Sequence, residues 1–218
     1  MNFIAQVEDQ LRDLANEARK KYPGVKEAAE RAILTVRTLK TRYVSAVRAA
    51  SSASAVSVKN NDSSAVENNG SAQKRRVRPP TTALFKHTDI IRPFLLALNY
   101  VDGPSSMLSV ALNSVQMLID GDAVCPEDSI NIMHVLSIHA TKHDESYNLK
   151  VLQTATMVAA WRGAEMSEEV LSKTIVVCMS MAKQKSSTVR RASMATLSQL
   201  TSLLFDRVTS SAADHLEE

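Results

Sequence analysis

The sequence predicts an all-α fold, an α-solenoid of HEAT- or armadillo-like helix pairs. Three observations point there. Apolar residues recur three and four positions apart along most of the chain, the spacing that gathers them on one face of a helix. Aromatic residues make up only 4% of the chain against 44% hydrophobic in total, with five glycines in 218 residues, a balance that suits aliphatic helix packing and disfavours strands. Helix starts near Ser105, Asp144 and Ser187 are separated by roughly 40 residues with two helices in each interval, the period of HEAT and armadillo repeats.

From Phe3 to Lys20, the residues Ile4, Val7, Leu11, Leu14 and Ala18 form the first stripe, and Tyr22, Pro23 and Gly24 break it. Val25, Ala29, Ala32, Val36, Leu39, Tyr43 and Val47 then alternate four and three residues apart, a narrow packing seam that folds back on the first helix as a hairpin. Between Ser51 and Pro80 the periodicity disappears among serine, asparagine and small residues. Such a span buries too little apolar surface to offset the entropy of ordering, so it is expected to be a disordered loop. It ends in Lys74, Arg75, Arg76, Val77 and Arg78 followed by two prolines, which favour extended backbone.

A helical segment resumes on Ile90, Ile91, Phe94, Leu95 and Leu98, with Pro93 restricting its first turn. Ser105 or Ser106 caps the next helix, whose stripe is Leu108, Ala111, Leu112, Val115, Leu118 and Ile119 and whose stop is Gly121. Pro126 suits the first position of a helix running through Ile130, Met133 and Leu136 toward Ala140. Asp144 caps one that carries Tyr147, Val151, Leu152, Ala155, Val158 and Ala159 as far as Gly163. Ser167 caps another, built on Leu171, Thr174, Ile175, Cys178 and Met181. The last begins near Ser187 and turns Val189, Ala192, Thr196, Leu200, Leu203 and Leu204 inward. Helix pairs of this kind share one continuous core, so residues 1–218 are expected to form a single domain with the loop at about 51–80 inserted.

The net charge of +3 is too small for a whole-chain nucleic-acid binder, and the basic run lacks interleaved aromatics for base stacking; no nucleic-acid partner is expected. Cys125 and Cys178 have no CxxC spacing, which fits a reducing cytoplasmic setting. No stretch approaches the roughly 20 apolar residues that cross a bilayer as a helix, so membrane contact is expected to be peripheral. The sequence holds no GxSxG, no glycine-rich phosphate loop and no HExxH. Neither catalytic residues nor a cofactor are expected. His134, His139 and His143 are five and four residues apart, which does not place all three on one helical face, so no metal site is expected.

Two features are candidates for interaction. Lys74, Arg75, Arg76 and Arg78 concentrate positive charge for contact with an anionic membrane; at about 1 kcal/mol each they would give transient binding. A solvated loop end is the plainer reading of that run. Trp161, the sole tryptophan, sits at a helix end beside Arg162 and is a candidate partner anchor, weighed against burial between repeats. Ser193 follows Arg190 and Arg191 in the pattern of a basophilic kinase substrate, yet its register beside the buried stripe favours packing. Met107, Met117, Met133, Met157, Met179 and Met181 read as core fillers.

Four segments, KKYPGVKEAAERAI (Lys20–Ile33), IRPFLLAL (Ile91–Leu98), NLKVLQTATMV (Asn148–Val158) and ATLSQLTSLLFDRV (Ala195–Val208), carry a further signal. In this order they resemble the N-terminal DCB (dimerisation and cyclophilin-binding) domain of the Mon-two family of Golgi and endosome trafficking scaffolds, related to the large Arf guanine-nucleotide exchange factors. The resemblance spans the chain apart from Ser51 to Pro80, so it gives that loop no role. It implies a non-catalytic interaction and scaffolding domain in endosome and trans-Golgi network vesicle trafficking, peripheral at those membranes. It also implies self-association as a homodimer, with an Arf-like small GTPase, a Dopey-family protein and a flippase complex as partners. A second reading is the regulatory N-terminal domain of a large Arf exchange factor, whose catalytic domain would lie downstream.

Overall fold

Helix α1 (Asn2–Ala18) turns its predicted stripe inward: Ile4, Val7, Leu11, Leu14 and Ala18 are all buried in the computed structural model of the chain. The structure describes residues 2–19, 21–56, 86–140, 144–161 and 167–214. Within them the chain forms α2 (Pro23–Val56), α3 (Thr88–Leu98), α4 (Ser105–Asp120), α5 (Asp128–His139), α6 (Glu145–Ala160), α7 (Glu168–Ala182) and α8 (Ser187–Asp214), and no strand. The fold is the all-α helical solenoid that the sequence predicts.

Each helix packs against its hairpin partner, α1 on α2, α3 on α4, α5 on α6 and α7 on α8, and the pairs stack in two layers. One layer runs α2, α3, α5, α7 and the other α1, α4, α6, α8. The first pair is therefore threaded in the opposite sense to the other three. That sets the N-terminal half of α2 beside α3 in one layer, with Glu27, Arg31 and Thr35 facing Asp89, Arg92 and Leu96.

The ties between helices of the second layer are polar as well as apolar. Ser106 donates to Glu17 at 2.6 Å, Ser114 to Gln10 at 3.0 Å, the Gln116 amide to Thr154 at 2.8 Å, and Ser186 to Glu145 at 2.6 Å. Three of these use serines close to a helix start or on a buried face, where the short hydroxyl reaches a neighbour without opening the packing. One expected cap changes as a result. Ser106 spends its hydroxyl on Glu17, and α4 begins after Pro104 without a side-chain cap. Ser167 does cap α7, accepting from the Val170 amide at 3.2 Å, whereas Asp144 makes no side-chain cap to α6. Pro126 lies two residues ahead of α5, in a turn where Asp128 N–H donates to the Cys125 carbonyl.

Helix α2 continues to Val56, five residues beyond the Ser51 at which the loop was expected to start; residues 57–85 lie outside those described. It has 34 residues to the 17 of α1, or about 51 Å against about 26 Å, so its C-terminal part projects past its hairpin partner. Pro93 falls inside α3 instead of in its first turn. Its missing N–H leaves the Asp89 carbonyl without the usual i+4 donor. Two positions expected inward, Ile175 and Met179 on α7, are 38% and 52% exposed, because α7 belongs to the last pair and has neighbours on one side only.

Glu8 is the main charged tie of the first pair. Its Oε1 accepts from Arg12 at 2.6 Å on the same helix and from Arg37 Nε at 2.8 Å on α2. The Arg37 hydrogen bond holds its carboxyl below the ordinary 4.5; burial opposes this, and the charges of Arg12, Arg37 and Lys40 reinforce it. A carboxyl lowered in the folded state contributes in full above its unfolded value and loses that contribution as pH falls through the folded one. Glu8→Gln is therefore expected to cost about 1 kcal/mol at pH 7 and less at pH 3. Urea unfolding at both pH values checks this; an equal cost at both would show that charge is not the tie.

Candidate interaction surfaces

The helix ends that carry Lys86, Asp122 and Trp161 come together at one edge of the stack. Helix α4 closes in a paired turn: Asp122 N–H donates to Ile119 and Ala123 N–H to Leu118, with Asp122 in the left-handed region at φ 49°. The left-handed residue is thus the aspartate and not the preceding Gly121. Gly121 is needed for a different reason: a Cβ there would collide with the Phe3 ring of α1.

Held in this turn, the Asp122 carboxylate meets two groups. Trp161 Nε1 donates to Oδ1 at 2.9 Å, and Lys86 Nζ lies 2.9 Å from Oδ2. The same ammonium sits 5.7 Å from the centroid of the Trp161 ring, within cation–π range. The lysine hydrogen bond holds the Asp122 carboxyl below its ordinary range; burial opposes it, and the indole N–H and the lysine charge reinforce it. Trp161 is half-buried and packs against the core. The predicted partner anchor is thereby engaged inside the chain. Lys86 and Asp122 were not singled out by sequence reasoning, although Gly-Asp after a helix stripe is a turn signal.

The histidines separate. His134 is exposed, His139 is fully buried, and His143 lies outside the described residues. Nε2 of His139 is 2.5 Å from the Leu98 carbonyl of α3, and Nδ1 is 3.4 Å from the Tyr147 hydroxyl of α6. The imidazole thus links three helices. Among the described residues no group of three or more His, Cys, Asp or Glu converges to hold a metal. Ser193 is buried and donates to the Cys178 carbonyl, so its register with the packed stripe is as expected. Lys74, Arg75, Arg76 and Arg78 lie outside the described residues.

One buried carboxylate, Asp128 at the start of α5, keeps Oδ2 without a hydrogen-bond partner. Burial pushes its carboxyl up, Glu127 adds to this, and hydrogen bonds with Asn131 and Thr88 oppose it. Of the expected core methionines, Met107, Met133 and Met181 are buried and Met117 and Met157 pack partly against the core.

Exposed large apolar residues concentrate at the two ends of the stack. Leu34 and Val44 mark α2; Ile175, Val176 and Met179 mark α7; Met194 and Phe205 mark α8, Phe205 at 68% exposure. Across α3 to α6 and their connections, the described residues add only Tyr100. The interior pairs are covered on both sides, and the terminal pairs keep an uncovered face. No described helix is long and apolar enough to cross a membrane.

A family model described as the Mon2/Sec7/BIG1-like dimerisation and cyclophilin-binding domain matches residues 1–212. Similar proteins include the Protein MON2 homolog of Homo sapiens, 24% identical over 213 residues, which is 98% of this chain and 10% of that protein. The Protein MON2 homolog of Drosophila melanogaster is 24% identical over 206 residues, 94% of this chain and 10% of its own length. That of Schizosaccharomyces pombe is 28% identical over 109 residues, 50% of this chain and 7% of its own length. The chain spans a tenth or less of the length of these curated relatives.

Proposed function

Because the chain belongs to the Mon2/Sec7/BIG1-like family of dimerisation and cyclophilin-binding domains, we propose that it is a non-catalytic scaffolding domain in vesicle trafficking, acting through protein contacts and self-association. The observation that carries this reading is the uncovered apolar face of α7 and α8, formed by Ile175, Val176, Met179 and Met194. Burying such a face against a second copy removes apolar surface from water, and rigid helices lower the ordering cost of doing so. Residues 1–218 act here as one domain. The finer reading places it peripherally at trans-Golgi network and endosome membranes, in a longer scaffold that works with an Arf-like small GTPase, a Dopey-family protein and a flippase complex.

Light scattering across a concentration series tests self-association. The mass is expected to rise from 23.8 kDa toward twice that value, and Val176→Asp with Met179→Asp is expected to hold it at the lower figure with helicity unchanged. A mass that stays monomeric throughout the series would remove the self-association reading. Pull-down with GTP-loaded and GDP-loaded Arf-like GTPase tests the recruitment reading, which expects retention of the GTP form alone.

A further inference from the structure

The charge of α2 is divided along its length. Two acidic and two basic residues, Lys26, Glu27, Glu30 and Arg31, balance in its first turns; from Arg31 to the helix end at Val56 there are five cations, Arg31, Arg37, Lys40, Arg42 and Arg48, and no acidic residue. All five are exposed. Between them, on the same outward ridge, Leu34 is 62% and Val44 41% exposed.

The hydroxyls of the ridge are turned inward. Thr38 donates to the Leu34 carbonyl and Thr41 to that of Arg37, each at 2.9 Å, and Ser45 donates to that of Arg42 at 2.8 Å. A threonine bonded back to its own helix presents its methyl, so the surface between the cations is largely apolar. Neutralisation is partial: Arg37 is paired with Glu8 yet remains 54% exposed, and Arg31 stands 3.6 Å from Glu27 and is 81% exposed.

We propose that the outer ridge of α2, from Arg31 to Arg48, is a docking surface for an anionic lipid bilayer. Cations flanking protruding aliphatic side chains are the composition of a helix lying in a membrane interface: the charges attract headgroup phosphates and carboxylates, and the leucine and valine enter the acyl boundary. The ridge spans 18 residues, about 26 Å, long enough to lie along a membrane surface. The α2–α3 groove beside it has the opposite character, because Glu27 and Asp89 offset Arg31 and Arg92 there. This inference rests on the peripheral-membrane part of the proposed function and assigns it to described residues in place of the run at Lys74.

Vesicle flotation of the 218-residue chain tests it, with phosphatidylcholine vesicles compared against vesicles containing phosphatidylserine. Binding is expected only to the anionic vesicles and is expected to disappear at high salt. Lys40→Ser with Arg42→Ser should weaken it about 25-fold, roughly fivefold per charge, and Leu34→Ser alone about fivefold, with thermal midpoints unchanged. A loss on Leu34→Ser separates insertion from general electrostatics. Anionic binding that survives all three substitutions, and is removed by serine at Lys74, Arg75, Arg76 and Arg78, would overturn the ridge and leave the peripheral reading standing. Failure to float with either vesicle at low salt would overturn both. Capture by poly-glutamate without vesicle binding would assign the ridge to an acidic protein and overturn the proposal.

Discussion

His139→Ala is expected to lower the unfolding free energy by about 3–4 kcal/mol, or about 10 °C in thermal midpoint for a chain of this size. The cost originates at the end of α3. The last carbonyls of any helix lack intrahelical donors, and Leu98 is the final residue of α3, buried where water does not reach it. His139, on α5, supplies the missing donor through Nε2 at 2.5 Å. The protonation pattern follows from the other nitrogen. Burial pushes the Tyr147 phenol above its ordinary value, so it remains protonated and donates to Nδ1, which leaves the single imidazole proton on Nε2 facing the carbonyl.

Alanine at 139 removes a buried ring, the donor to Leu98 and the acceptor for Tyr147 together. His139→Phe keeps the ring volume and loses both polar contacts, so it should cost about 2 kcal/mol, between wild type and alanine. Urea unfolding followed by helical circular dichroism measures both. An alanine cost below about 1 kcal/mol, or phenylalanine equal to wild type, would show that the α3–α5–α6 junction does not depend on the imidazole.

The inward faces of the fold were legible wherever a stripe was long and regular. Every member of the α1 and α4 stripes is buried, because three- and four-residue spacing encodes a single inward face. The same spacing misplaced Ile175, and Met179 was misplaced by its reading as a core filler, since an apolar side is no sign of whether anything covers it. The inverted first pair was not legible either: which layer a helix joins is decided by contacts between elements far apart in sequence. His139 could have been told from His134, because it continues the buried set Ile132, Val135 and Leu136 by one helical step. No comparable signal joins Trp161 to Asp122, 39 residues away, so the hydrogen bond between them had no trace in the spacing.

That clasp gives the second large effect. Asp122→Ala is expected to cost about 2–3 kcal/mol, from three sources that a substitution series separates. Alanine in the left-handed region carries a backbone penalty of about 1 kcal/mol. The Trp161 hydrogen bond contributes about 1 kcal/mol, and the Lys86 ion pair, with side chains 30% and 53% exposed, about 0.5 kcal/mol after solvent screening. Asp122→Asn keeps an oxygen for the indole and tolerates positive φ, so it should lose only the charge. Asp122→Gly relieves the backbone and loses both side-chain contacts, falling between asparagine and alanine. The order alanine, glycine, asparagine, from most to least destabilising, is the expected outcome, measured by urea unfolding. Trp161 is the sole tryptophan, so its emission reads the clasp directly: alanine and glycine should shift it to the red and asparagine should not. Alanine no worse than glycine would remove the backbone contribution, and an unshifted alanine spectrum would show that the indole is held by its packing against the core without the carboxylate.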